Sequence, residues 1–146
     1  MSYERILLPT DGSAASERAE RRAVELAGED GAALEVLHVL ELLALPFGEH
    51  SEALRTTLTS EAEEYVEGVL ERAREAGVAE VHGTVRKGRP HETIVEVTGE
   101  RSCDLVVMGT HGRAKHEPYV LGSVTARVLQ HSPVEVLVIP TRGRDG

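Results

Sequence analysis

The sequence predicts a doubly wound α/β fold: a parallel sheet of five strands with four helices packed on its two faces. Short apolar runs alternate with longer amphipathic stretches along the chain, the pattern of βα units that feed a parallel sheet. A length of 146 residues suits one domain, residues 1–146, with a full-sized core. The third observation is local. Cys103-Asp-Leu-Val-Val-Met108 is an apolar run closed by Gly109, and helical spacing begins at Ser123. A buried parallel strand followed by a crossover helix reads in this way, because both faces of such a strand are covered.

The elements follow in order. Arg5–Pro9 is a short apolar strand that ends in the turn Pro9-Thr10-Asp11-Gly12. Ser13 or Ser16 can cap a helix to about Ala27, with Ala19, Ala23, Leu26 and Ala27 on its buried side. Ala33–Leu40 makes a second strand with His38 inside it, and residues 42–50, with Pro46 and Gly48, form a loop. From Ser51 a long helix carries Leu54, Leu58, Ala62, Tyr65, Val66, Val69 and Ala73 at steps of three and four, and Gly77 stops it. Residues 78–86 alternate like a half-buried strand, and Pro90 starts a helix through Ile94, Val95 and Val97. Residues 123–130 form the last helix, with Val124, Val128 and Leu129 on one side; residues 134–139 form the last strand, halted by Pro140.

Composition excludes several classes of function. A net charge of −9 opposes nucleic-acid binding, which needs a basic stripe to displace counterions. The single cysteine, Cys103, rules out an internal disulfide framework and reads as a core residue. No stretch is long enough to span a bilayer, and the first residues enter a strand without a leader pattern, so a cytoplasmic location is expected. His38 in an apolar strand reads as a core or ligand-rim histidine. His111 and His116 share a loop, but no cysteine or acid at matching spacing supports a metal site.

Chemistry concentrates at Gly109-Thr-His-Gly112, nine residues and then Gly122-Ser123. These glycines lie between a strand end and a helix start. Backbone amides at a helix N-terminus point outward where the helix dipole is positive, and glycine lets the chain approach an anion with no Cβ in the way. That is a recipe for holding phosphate. Ser123 can cap the helix and also hydrogen-bond a phosphate. In a doubly wound sheet the ligand binds beyond the carboxyl ends of the strands at the topological switch point, which joins Asp11 to Gly109 if their strands are neighbours.

Together, Leu8-Pro-Thr-Asp-Gly-Ser13, Leu37-His-Val39, Gly109-x-x-Gly112-x9-Gly122-Ser123 and Pro133-Val-Glu-Val-Leu-Val-Ile-Pro140 resemble the universal stress protein family over essentially the whole chain. The resemblance implies a flavodoxin-like sheet of order 3-2-1-4-5, a homodimer through the last strand from Val134 to Ile139, and bound ATP, with or without Mg2+. It implies that Asp11, after Pro9 and Thr10, meets the ribose or base and that the Val39 backbone contacts adenine. Met108 would flank the nucleotide. Gly109, His111, Gly112, Gly122 and Ser123 would hold the phosphates with the amides of Val124 and Thr125, with Arg113 as a nearby cation. Between the glycines this chain has Lys115, His116, Glu117 and Pro118 where family members commonly have a small residue, a leucine and a basic residue.

Rival enzymes lack their motifs. There is no Walker A lysine pattern, no dinucleotide-binding glycine triplet after the first strand, no Gly-x-Ser-x-Gly elbow, and no receiver-type acid pair with a phosphoacceptor Asp. The expected function is that of an ATP-binding regulatory nucleotide sensor in stress response, with no catalytic residue assigned. A slow Mg-dependent nucleotide hydrolase using Asp11 or His111, and a member that binds another ligand or a protein partner, remain open.

Overall fold

Five apolar runs become strands: β1 (Arg5–Pro9), β2 (Ala33–Leu40), β3 (Val81–Lys87), β4 (Leu105–Gly109) and β5 (Glu135–Ile139). In the computed structural model, which describes residues 2–41, 51–110 and 121–140, they form one parallel sheet of order β3-β2-β1-β4-β5. The helices are α1 (Glu17–Asp30), α2 (Ser51–Glu75), α3 (Pro90–Glu100) and α4 (Ser123–His131). The predicted fold class and strand order are those observed.

The period of two along each strand sorts the core into two layers. Ile6, Leu8, Leu34, Val36, Leu105 and Val107 pack with Ala19 and Ala23 of α1 and Val66 and Val69 of α2. Leu7, Leu37, Val106 and Met108 pack on the other face with Ile94 and Val97 of α3 and Val128 of α4. Cys103 joins this second layer, and burial pushes its thiol up to about 11, so it stays protonated and inert at neutral pH. Among the described residues no helix is long and apolar enough to cross a membrane.

Element ends depart from the sequence reading in ways the backbone explains. The buried stripe of α1 stops at Ala27, but the helix continues to Asp30, because the left-handed residue that ends it is Gly31 (φ 67°), not Gly28. Ser16 stands at the N-cap position of α1, but neither its hydroxyl nor that of Ser13 caps the helix: Ser13 Oγ donates to Asp11 Oδ1 at 2.6 Å, and Ser16 Oγ donates to the Ser13 carbonyl at 2.8 Å. Val78 lies outside the ladder; its N–H bonds the Ala73 carbonyl at 3.0 Å and closes the end of α2 over Gly77. On α4 the sheet-facing residues are Val124, Thr125 and Val128, while Leu129 turns outward with 45% exposure.

Two buried carboxylates anchor ion pairs between elements. The buried Glu20 carboxylate of α1 receives two bonds from Arg72 of α2, Nε at 2.7 Å and Nη2 at 3.0 Å. Glu35, 3% exposed inside β2, takes Arg5 Nη1 at 2.7 Å and has Arg101 Nη1 at 3.6 Å.

Gly83 in β3 is the place where α2 sits down on the sheet. A Cβ there would lie 2.5 Å from Val66 Cγ1 and 3.0 Å from Leu70 Cδ1, and a helical valine has one strongly preferred rotamer with which to yield. Gly83→Ala is expected to lower stability by about 1–3 kcal/mol, read as a fall in the urea midpoint at unchanged slope. Ser102, at the end of α3, holds a positive φ of 54°, a conformation that favours glycine. Ser102→Gly is expected to raise stability by about 0.5–1 kcal/mol, read in the same titration.

Candidate functional site

The site begins where two central strands part. β1 and β4 pair only at Ile6↔Leu105 and Leu7↔Val106. Beyond that point each turns to its outer neighbour, β1 as far as Pro9↔Leu37 and β4 as far as Gly109↔Ile139. The residues that follow repeat this division. Thr10 N–H bonds the Leu37 carbonyl at 2.8 Å, and Thr110 N–H bonds the Ile139 carbonyl at 3.1 Å. A cleft of about 690 Å³ opens between them, a size that suits a small organic ligand.

On the β1 side, the Thr10 carbonyl accepts a bond from His38 Nδ1 at 2.8 Å. Because the partner is a carbonyl, this ring nitrogen carries the proton. Asp11 forms an Asx turn: its Oδ1 accepts the Ser13 N–H at 2.9 Å as well as the Ser13 hydroxyl. Gly12 follows with φ 78° and brings the chain into the turn before α1. His38 is 5% exposed and lines the cleft, as a core or rim histidine should. Among the described residues no cluster of histidine, cysteine and acid could hold a metal.

On the β4 side, the cap of α4 is Gly122 rather than Ser123. Its N–H is taken by the Thr110 carbonyl at 2.8 Å, and its own carbonyl accepts the first helical bond, from Ala126 at 2.9 Å. The Thr125 hydroxyl bonds back to the Gly109 carbonyl at 2.8 Å, tying the helix start to the strand end. No side chain caps α4. Ser123, Val124 and Thr125 therefore carry the first-turn amides of this helix N-terminus beside the cleft. Gly122 has φ −62° and ψ 151°, a conformation open to any residue, so the backbone itself does not call for glycine there.

Ten residues singled out from the sequence line this one cleft: Pro9, Thr10, Asp11, Val39, Met108, Gly109, Gly122, Ser123, Val124 and Thr125. His111, Gly112 and Arg113 lie outside the described residues, as do Lys115 to Pro118 and the loop 42–50. The sequence reading missed the wall supplied by α2, where Leu58, Glu61, Ala62 and Tyr65 face the cleft. Its apolar stripe was visible as helix periodicity, but periodicity does not say how far a helix overhangs the strand ends. Pro90 and Ile94 of α3 close the opposite wall.

Known proteins share this architecture. The family model described as the universal stress protein family matches residues 2–140. A universal stress protein of Methanocaldococcus jannaschii is 34% identical over 140 residues, covering 94% of this chain and 82% of that protein. The solved structure of the hypothetical protein MJ0577 superposes with a TM-score of 0.84 at 30% identity, covering 95% of this chain and 96% of that one. A universal stress protein solved in complex with cAMP superposes with a TM-score of 0.75 at 27% identity, covering 97% of this chain and 100% of that one. The chain belongs to the universal stress protein family.

Proposed function

We propose that this protein is an ATP-binding regulatory module of stress response, which reports nucleotide occupancy to a partner through the surface around the cleft. The observation that carries this reading is the meeting of the Asp11 turn and the uncapped N-terminus of α4 across the split between β1 and β4. The relative solved with cAMP adds support for an adenine nucleotide. Asp11 would meet the ribose or base, the Val39 backbone the adenine, and Met108 its flank. Gly109 and Ser123 would receive the phosphates with the amides of Val124 and Thr125, and Gly122 would leave room for their approach. His111, Gly112 and Arg113 would join them, with Mg2+ on the phosphates if it is carried.

Binding rather than turnover fits the side chains at hand. Among the described lining residues there is no lysine or arginine, and the Asp11 carboxylate accepts the Ser13 N–H and hydroxyl in its turn. Efficient phosphoryl transfer needs cations at the transferring group and a positioned nucleophile. Occupancy can then persist long enough to act as a signal. The module would work in the cytoplasm as a homodimer through β5, whose outer edge has no strand partner among the described residues.

Gly122→Val should lower ATP affinity by at least about tenfold, 1.4 kcal/mol, in a protein that stays folded, since valine favours the extended φ and ψ of this position. Calorimetry showing unchanged affinity in the folded variant removes the phosphate cradle. Assembly is checked separately: light scattering should give twice the mass of the chain at micromolar concentration, and a monomer there counts against pairing through β5.

A further inference from the structure

We propose that the Tyr65 hydroxyl donates a hydrogen bond to a ribose hydroxyl of the bound nucleotide and makes the cleft select ribonucleotides over deoxyribonucleotides; this rests on the nucleotide reading of the cleft. Tyr65 sits on α2, half-buried, as the wall between the cleft and a second hollow of about 470 Å³ on the α1 side. Its ring is fixed against the turn after β1. A methyl group at Gly12 would lie 3.7 Å from Tyr65 Cγ and 3.8 Å from Cδ1 and Cδ2, an ordinary contact, so the ring faces this turn, and it is the positive φ of 78° that favours glycine there. The hydroxyl end lies 3.2 Å from Thr10 Oγ1, in the cleft that Asp11 also lines.

Counting protons assigns the hydroxyl its role. Ser16 Oγ gives its proton to the Ser13 carbonyl at 2.8 Å. Thr10 Oγ1, which accepts the Gly12 N–H at 3.4 Å, has one proton for two acceptors, Ser16 Oγ at 3.1 Å and the Tyr65 oxygen at 3.2 Å. In its bond to the protein the phenol is only an acceptor, and among the described residues its own proton has no acceptor. A donor left over at the wall of a cleft needs a ligand or water oxygen.

The neighbouring charge says which oxygen. Asp11 lines the same cleft, its carboxylate oriented by Ser13. A phosphate beside that carboxylate would be repelled, because both are acceptors only. A ribose diol both donates and accepts, so it is matched by one carboxylate and one phenol. A site built to bond a hydroxyl discriminates against the analogue that lacks it, because its polar groups are then left unpaired.

The test is calorimetry of the full chain and of Tyr65→Phe with ATP, 2′-deoxy-ATP and 3′-deoxy-ATP. Phenylalanine keeps the ring on Gly12, so the thermal midpoint should hold. The unaltered chain should prefer ATP to one of the deoxy forms by about tenfold, and Tyr65→Phe should lose about tenfold for ATP and bind that form as the unaltered chain does. A variant that binds ATP unchanged, or that loses affinity equally for all three nucleotides, overturns the assignment of Tyr65 alone. Failure of the unaltered chain to bind any of them overturns the nucleotide reading and this assignment with it.

Discussion

The separation of β1 from β4 after two paired residues is the constraint on which the rest of the site depends. β1 is central, and the chain winds outward from it first through β2 and β3 and then through β4 and β5. Helices α1 and α2 cover one face, and α3 and α4 the other. The helices that follow β1 and β4 therefore lie on opposite sides of the sheet. Each strand prolongs its ladder with its outer neighbour, and among the described residues no connection fills the space between. A cleft at that point follows from connectivity, before any side chain is chosen.

The polar groups released at that split determine which side chains can stand there. Thr10 uses both backbone groups on β2, through Leu37 and His38, and its hydroxyl ties in Gly12, Ser16 and Tyr65. Four elements thus meet at one buried threonine. Lower down, the Glu20–Arg72 pair joins α1 to α2 and keeps the helix that carries Tyr65 against the helix that follows the Asp11 turn. Removing one partner of a buried pair costs about 3–5 kcal/mol, whereas pairs exposed on the surface contribute little. Arg72 is half exposed here, so Glu20 is the partner whose desolvation makes the contact matter.

Strand identity was legible because burial on both faces leaves a mostly apolar run: Ala33–Leu40 appears with the bounds its composition suggests. The glycine spacing and Asp11 were legible as a site because their positions follow from strand ends, and strand ends are punctuated by Gly and Pro. Other features were hidden. Glu35 is a charge inside a core strand, and nothing local announces that Arg5 and Arg101 converge on it from distant parts of the chain. Gly83 looks like any glycine in an edge strand until α2 is placed over it. The cap bonds were hidden for a related reason: Ser16 does stand at the N-cap of α1, but its hydroxyl and that of Ser13 are committed to the turn after β1, and Ser123 falls one residue inside its helix. Tyr65 was read as one more apolar contact because periodicity reports which way a residue faces and not what its hydroxyl meets.

The charge of the cleft constrains how a polyanion is held in the proposed function. The described lining carries Asp11, Glu41 and Glu61 and no lysine or arginine, in a chain whose net charge is −9. The long-range field therefore opposes an anionic ligand, although salt screens it beyond about 10 Å at 0.1 M ionic strength. Among the described residues attraction comes from fixed dipoles at contact distance, which is what the uncapped first turn of α4 supplies. Dipoles act only on groups that touch them, so the remaining affinity must be gained on the uncharged part of the ligand. The cleft is built for this. Val39, Pro90, Ile94 and Met108 offer an apolar wall on the α3 and α4 side, while Thr10, Asp11 and Tyr65 offer hydrogen bonds on the other. A ligand with an aromatic face, a hydroxylated middle and a compact anionic end satisfies all three surfaces, whereas inorganic phosphate satisfies only one of them.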